Sequence, residues 1–307
     1  MRLPVIDAEG LRRVLPMKDA IDALEAAFRE PLPEAPLRSA VETDSGTLLL
    51  MPAAGTPGLG VKLVTLTPSN AQRGLPFIHA IYALFDGQTQ APLALLDGAA
   101  LTALRTAAVS GLATRHLARP EARVLVVFGA GVQARSHVEA MRAVRPVERV
   151  TVVSRSTATA EALASEIQDP GVETTVGTPD AVVDAELVCT CTTSPEPVFD
   201  GRLLRPGTHV NAVGAYTPRT RELDAETIRR SRVVVETREA AMAEAGDLLI
   251  PMRAGIVAEE HIVADLAEVV GGRVVRRGPD DVTLFKSVGV AFEDLVVARA
   301  AVDRMQR

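Results

Sequence analysis

The chain has no tryptophan, and aromatic residues make up only 3% of it. Proteins that stack nucleobases need aromatic faces, so a base-stacking surface is not expected. An excess of positive charge is missing as well. Thirty-three Lys and Arg stand against 39 Asp and Glu, a net charge of −6. Phosphate backbones are held by basic faces, so no nucleic-acid partner is expected. No apolar run approaches the roughly 18 residues that span a bilayer. The opening MRLPVIDAEGLRRVLPM has no apolar stretch followed by a small-residue cleavage site. Neither membrane association nor secretion is expected from it. Cysteine is nearly absent: Cys189 and Cys191 lie two apart, a spacing that closes poorly as a disulfide. Free thiols fit a reducing cytoplasm. Histidine is scarce, and no His/Cys/Asp cluster has ligand spacing, so no metal is expected.

What is present is a globular chain of 307 residues, 47% apolar and 23% charged. That length suggests two domains or one large one, with a core that needs no disulfide or metal. Ile21, Leu24, Ala27 and Phe28 recur at helical spacing, which predicts a helix over about 18–29, closed by the prolines at 31, 33 and 36. Short apolar strands follow at Thr47–Met51, Gly60–Leu66, Ile78–Phe85 and Pro92–Leu96, separated by turn-rich segments. They read as a mostly antiparallel sheet. An Ala-rich helix over about 101–118 ends at Pro120.

At Arg123 the texture changes. Strand-like runs (RVLVVF, RVTVVS, LVCTCT, HVNAVG, RVVVE) now alternate with helical ones. That alternation predicts βαβ units and a doubly wound parallel sheet, an α/β fold. The last strand is Val282–Phe285, and a final helix over about 290–305 is expected to return to the first domain.

The stretch RVLVVFGAGVQARSHVEAM carries the sharpest signal. A buried strand runs into Gly129, Ala130, Gly131, Val132, Gln133 and Ala134, then a helix, the G-x-G-x-x-A form of a dinucleotide-binding turn. Gly129 permits the turn and Gly131 lets backbone approach a pyrophosphate, which sits at the helix N-terminus. The next strand ends in Ser154, Arg155 and Ser156, where NAD sites usually carry an acidic residue for the ribose. An arginine there pairs with a 2′-phosphate. NADP(H) is therefore expected over NAD(H), with a solvated loop charge as the alternative.

Several further stretches combine with this turn: GVKLVTLTPSNAQRGLP (60–76), LLDGAALTALRTAAVSGLATRHLA (95–118), CTTSPEPVF (191–199), NAVGAYTPRTRELD (211–224), AGDLLIP (245–251) and TLFKSVGVAFEDL (283–295). On these the chain resembles the ornithine cyclodeaminase/μ-crystallin family over nearly its whole length. The resemblance implies a Rossmann domain at 120–289. It also implies a substrate-binding and dimerisation domain at 1–119, joined by 290–307, and a homodimer. It implies hydride transfer beside a carboxylate, in imine reduction, cyclodeamination or amino acid dehydrogenation. In its crystallin branch it implies hormone binding.

Three cations match family positions: Arg38 in APLRSA, Lys62 in GVKLVT and Arg105 in ALRTAA. Each alone reads equally as a solvent charge. Together, the resemblance implies, they grip a substrate carboxylate. Lys62 is also placed to relay a proton to an imine nitrogen. Thr192, Thr193 and Val213 follow Rossmann strands and are expected at the cofactor, as is Lys286, whose alternative is a surface lysine. His79 is a candidate acid on the strand at 78–85, with a structural role as its alternative. Asp294 reads as a helix-end charge and Asp247 as a turn residue.

One departure bears on chemistry. Cyclodeaminases of the family place an Asp where this chain has Tyr216. A phenol is a poor base near neutral pH. Reduction of a preformed ketimine, such as pyrroline-2-carboxylate or piperideine-2-carboxylate, is thus expected ahead of ornithine or lysine cyclodeamination or alanine dehydrogenation. A crystallin-like NADP-dependent binder is the alternative of another class.

Overall fold

The computed structural model describes residues 3–167, 169 and 171–306. The chain divides into two units, Met1–Arg105 with Val290–Arg307, and Thr106–Gly289. The division falls inside one continuous helix and not at its end near residue 119, because a change of sequence texture marks where a helix stops, not where the packing changes hands.

The first unit opens with β1 (Val5–Ile6), α1 (Ala8–Val14) and α2 (Met17–Phe28). Met17, Ala20, Ile21, Leu24 and Phe28 form the buried stripe of α2 at three- and four-residue spacing. Strands β2 (Ser39–Thr43), β3 (Gly46–Gly55), β4 (Gly58–Leu66), β5 (Ile78–Phe85) and β6 (Pro92–Asp97) follow, then α3 (Gly98–Leu117), which crosses into the second unit. Asp97 starts α3 by accepting hydrogen bonds from the N–H groups of Ala99 and Ala100, both at 2.9 Å.

Among the described residues these strands make a six-stranded sheet in the order β1-β6-β5-β4-β3-β2. It is antiparallel except for β1, which pairs parallel with β6. Burial alternates along β4, so Gly60, Lys62 and Val64 lie on the buried face with Tyr82 and Leu84 of β5.

The second unit runs β7 (Val124–Phe128), α4 (Val132–Val144), β8 (Arg149–Val153), α5 (Thr157–Glu166), β9 (Glu173–Val176), β10 (Leu187–Thr190), β11 (His209–Ala212), α6 (Ala225–Arg230), β12 (Ser231–Val235), α7 (Arg238–Glu244), α8 (Gly246–Arg253), β13 (Ile262–Asp265), α9 (Leu266–Val270) and β14 (Val282–Lys286). Among the described residues its sheet has eight strands in the order β13-β12-β14-β11-β10-β7-β8-β9, all paired parallel. Chain order reverses between β7 and β10. Ligands of such sheets sit outside the carboxyl ends of the strands at that switch point. Phe128, Thr190, Ala212 and Lys286 are in register along that edge. The chain closes with α10 (Ala291–Met305), which returns to the first unit and packs on β3, β4 and α2. There Phe292 meets Phe28 edge-on at 5.2 Å.

Two buried histidines give the second unit an acid limit. His137 lies between the Gln133 carbonyl (2.7 Å) and the Ser110 hydroxyl (3.0 Å). His209 lies between Thr283 Oγ1 (2.9 Å) and Asn211 Oδ1 (3.3 Å). Burial pushes their pKa values down to about 4 and about 3. Both values are depressed below the unfolded value of about 6.5, so the unfolded chain takes up protons first as pH falls. The stabilisation is complete above that value and shrinks below it, by about 1.4 kcal/mol per pH unit for each histidine. Denaturant unfolding at pH 7, 6 and 5 is expected to show this loss. Stability that is level over that range would contradict it.

Candidate active site

Each unit assembles its own group of functional side chains. In the first, β4 directs Lys62 inward, cross-strand from Met51 of β3 and Tyr82 of β5. Lys62 is 1% exposed. The first turn of α10 supplies its counter-charge. Lys62 Nζ donates to Asp294 Oδ2 at 2.8 Å and Oδ1 at 3.0 Å. Arg105 of α3 donates from Nε to Asp294 Oδ1 at 3.2 Å and from Nη1 to Glu293 Oε2 at 2.9 Å. Glu293 and Asp294 are both fully buried. Burial lowers the Lys62 pKa to about 8; the charges of Arg105 and Arg38 add to this, while Asp294 opposes it. Arg38, half-buried just before β2, is therefore close enough for its charge to be felt at Lys62. The structure thus gathers all three cations in one unit.

Tyr82 completes the group. Its hydroxyl is buried and has no hydrogen-bond partner among the described residues. Burial raises its pKa, and the charge of Asp294 raises it further. The phenol lies over Gly60, where any Cβ would collide with it. His79 takes no part in this group. It lies an odd number of residues from Tyr82, so strand alternation turns it to the opposite face, beside Thr65 and exposed. An acid on that face does not reach the Lys62 group.

In the second unit the glycine turn has the form that dinucleotides require. Gly129 has φ +103°, and a Cβ there would come 2.5 Å from the Cys191 carbonyl oxygen. Its N–H bonds the Val153 carbonyl at 2.8 Å. Gly131 caps α4, and a Cβ on it would meet nothing within 4 Å. Ala130 and Gln133 are half-buried and Val132 is exposed, so the amides at the start of this helix face open space. Ala134 is fully buried, as close packing of helix on sheet demands. These residues fit a pyrophosphate.

Past β8, Arg155 is exposed. Ser156 caps α5 through Thr159 N–H, and Ser154 Oγ lies 3.3 Å from Thr159 Oγ1.

The strand tips are held by three buried charges, Glu222, Asp247 and Lys286, of which the sequence does not single out Glu222. Glu222 accepts four hydrogen bonds: from Thr192 N–H (2.6 Å), Thr192 Oγ1 (2.7 Å), Thr190 Oγ1 (2.8 Å) and Gly214 N–H (2.6 Å). Burial, then the charge of Asp247, push its pKa up. The charge of Lys286 and the hydrogen bonds from Thr192 oppose that rise. Asp247 is no turn residue. It lies buried in the first turn of α8 and accepts from the N–H groups of Glu222 (2.7 Å) and Leu223 (2.9 Å).

Lys286 is neither a surface lysine nor turned to a ligand. It is buried, donates to the carbonyls of Ala212 (3.2 Å) and Ala215 (2.6 Å), and lies 2.9 Å from Asp247 Oδ2. That ion pair is close but not aligned as a hydrogen bond. Lys286 therefore ties the end of β14 to the segment after β11. That segment carries Val213, which is buried, and Tyr216, which is half-buried. Thr192 is fixed by Glu222, and Thr193 is exposed beside it.

Among the described residues no three His, Cys, Asp or Glu side chains are placed to hold a metal ion, and no helix is long and apolar enough to cross a membrane.

The sequence profile of the ornithine cyclodeaminase/mu-crystallin family matches residues 5–307. A Delta(1)-pyrroline-2-carboxylate reductase from Bacillus cereus is 38% identical over 313 residues, covering 98% of this chain and 96% of that protein. The fold superposes on the Delta(1)-pyrroline-2-carboxylate reductase of Thermococcus litoralis, solved with NADH and L-proline, with a TM-score of 0.94. The two are 38% identical, and the match covers 99% of this chain and 98% of that one. An archaeal alanine dehydrogenase dimer with bound NAD superposes with a TM-score of 0.93 at 30% identity, covering 100% of this chain and 97% of that one.

Proposed function

Because the chain belongs to the ornithine cyclodeaminase/mu-crystallin family, we propose that it is an NAD(P)H-dependent oxidoreductase that reduces the C=N bond of a small cyclic ketimine, pyrroline-2-carboxylate or piperideine-2-carboxylate, to the amino acid. The observation that carries this reading is the gathering of Lys62, Arg105 and Arg38 around one buried point. Cations gathered in this way suit a substrate carboxylate.

When bound, the reduced nicotinamide supplies a hydride for the imine carbon. The chain's own residues do the rest. Arg105 and Arg38 hold the carboxylate and so orient the neighbouring carbon. Lys62, with a pKa of about 8, is a proton donor matched to neutral pH for the imine nitrogen. Gly129, Ala130, Gly131, Val132 and Gln133 receive the pyrophosphate, while Thr192, Thr193, Val213 and Tyr216 edge the nicotinamide. Tyr216 offers no carboxylate to take a proton from a substrate ammonium, which favours reduction over cyclodeamination. The test is to follow NADPH oxidation with either ring, using its decarboxylated analogue as the control.

The finer cofactor preference is for NADP(H), through Arg155, whose exposed guanidinium is free of the helix-capping duty that occupies Ser156. Arg155→Ala is expected to lower the NADPH-to-NADH ratio of kcat/KM at least about tenfold, the size of one charge-assisted contact. An unchanged ratio would remove Arg155 from cofactor choice.

The partner is a second copy of the chain. The sheet of the first unit turns Leu48, Leu50, Val61, Leu63, Ile81 and Phe85 to the face opposite Lys62, and Ile81 is 52% exposed. A continuous apolar sheet face of this kind calls for a cover. The archaeal alanine dehydrogenase of the same fold is a dimer. Light scattering is expected to give the dimer mass, and Ile81→Lys the monomer mass. A wild-type monomer would contradict this. The free thiols of Cys189 and Cys191 support a reducing compartment such as the cytoplasm.

A further inference from the structure

We propose that Asp294 is a positioning residue for catalysis: from the first turn of α10 it holds Lys62 in its charged form, fixes the direction of the Lys62 ammonium and helps set the plane of the Arg105 guanidinium. This rests on the reading of Lys62 and Arg105 as substrate-binding groups. The geometry is specific. One carboxylate takes Lys62 on both oxygens and Arg105 Nε on one of them, and all three residues are buried. Glu293, the adjacent residue, takes Arg105 Nη1. Two consecutive acids of one helical turn therefore set both cations.

The groups facing Lys62 are Asp294 from α10, Arg105 from α3, Tyr82 from β5 and Arg38 from the segment before β2. Asp294 is the anion among them. An ordinary helix-end acid would sit in solvent and favour only the helix dipole. Here the acid is 232 residues from its lysine in sequence and shares its burial.

The composition makes a direct test practical, because the chain holds only three lysines, Lys18, Lys62 and Lys286. Carbon-13 at the lysine Cε position gives three signals, and a Lys62→Met sample assigns the one that belongs to Lys62. In Asp294→Asn, the Lys62 titration midpoint is expected to fall by about one pH unit or more, the size of a lost neighbouring charge. The alkaline limb of kcat/KM for pyrroline-2-carboxylate is expected to move down with it, while NADPH affinity by fluorescence titration stays within about twofold. A folded Asp294→Asn protein whose Lys62 midpoint is unmoved would overturn the proposal.

Should Asp294→Asn fail to fold, Asp294→Glu decides. It keeps the charge but displaces it by one methylene, so Lys62 is expected to titrate near its wild-type midpoint while kcat/KM falls at least about tenfold. Wild-type kcat/KM in Asp294→Glu would overturn the positioning role. The lysine spectra do not depend on turnover. A wild-type protein that reduces no imino acid sinks the substrate reading, and the spectra still test the Asp294–Lys62 link.

Discussion

Arg105→Ala is expected to lower kcat/KM for a cyclic imino acid by about a hundred- to a thousandfold, the equivalent of losing one or two charge-assisted hydrogen bonds to the substrate. Arg105 is a planar fork. Nε and Nη1 are committed to Asp294 and Glu293, which locks the plane of the guanidinium. Removing it takes away the carboxylate contact and also leaves Glu293 buried without this partner, so part of the effect reaches stability. The kinetic signature separates the two. KM for the imino acid is expected to rise and kcat to fall, because the carboxylate contact orients the reacting carbon. KM for the cofactor is expected to hold. Arg105→Lys does not restore activity, since one ammonium cannot span both acids and still grip a carboxylate through two parallel bonds. A lysine variant within about threefold of wild type would show that the fork is not what matters.

The second large effect is on stability. Lys286→Met is expected to cost about 3–5 kcal/mol, the usual result of removing one partner from a buried pair. It strands Asp247 and leaves the Ala212 and Ala215 carbonyls without their donor. Those carbonyls belong to the end of β11 and the segment that carries Tyr216. Asp247 in turn caps the Glu222 and Leu223 amides, and Glu222 pins Thr192 and Gly214. The damage should therefore spread along the carboxyl edge of the sheet. Denaturant unfolding of Lys286→Met, Asp247→Asn and the double variant measures it. The double variant is expected to be less destabilised than the sum of the two singles, because neither partner is then left charged alone. A loss under about 1 kcal/mol in Lys286→Met would mean that the pair is not structural cement.

Much of the scaffold was legible because its signals are local. The glycine turn leads into a helix as expected, and β5 at Ile78–Phe85 has the bounds that its apolar run predicts. Segments with weak local signals were not. β1 is two residues long, and β2, SAVET, is exposed along its length and shows no alternation. The start of α3 was read three residues late, although Asp97 before Gly98 was a usable cap signal.

At the site, the cations were legible by resemblance and their counter-charges were not. An acid in the first turn of a helix is favoured by the dipole wherever it points, so Asp294 gave no sign of burial. Its partner lies at the other end of the chain. His79 failed for a different reason. Its face follows from its odd offset from Tyr82, which becomes informative only once Tyr82 is known to pair with Lys62. Glu222 and Asp247 each bind backbone amides of loops, and such contacts leave no periodic trace in a sequence.

The most direct measurement is steady-state NADPH oxidation by the wild-type chain with pyrroline-2-carboxylate, with the product identified. Saturable oxidation that yields proline, lost in Arg105→Ala and absent with unsubstituted pyrroline, is the expected result. No turnover of either cyclic imino acid with NADPH or NADH, or equal turnover without the carboxylate, would contradict the assignment.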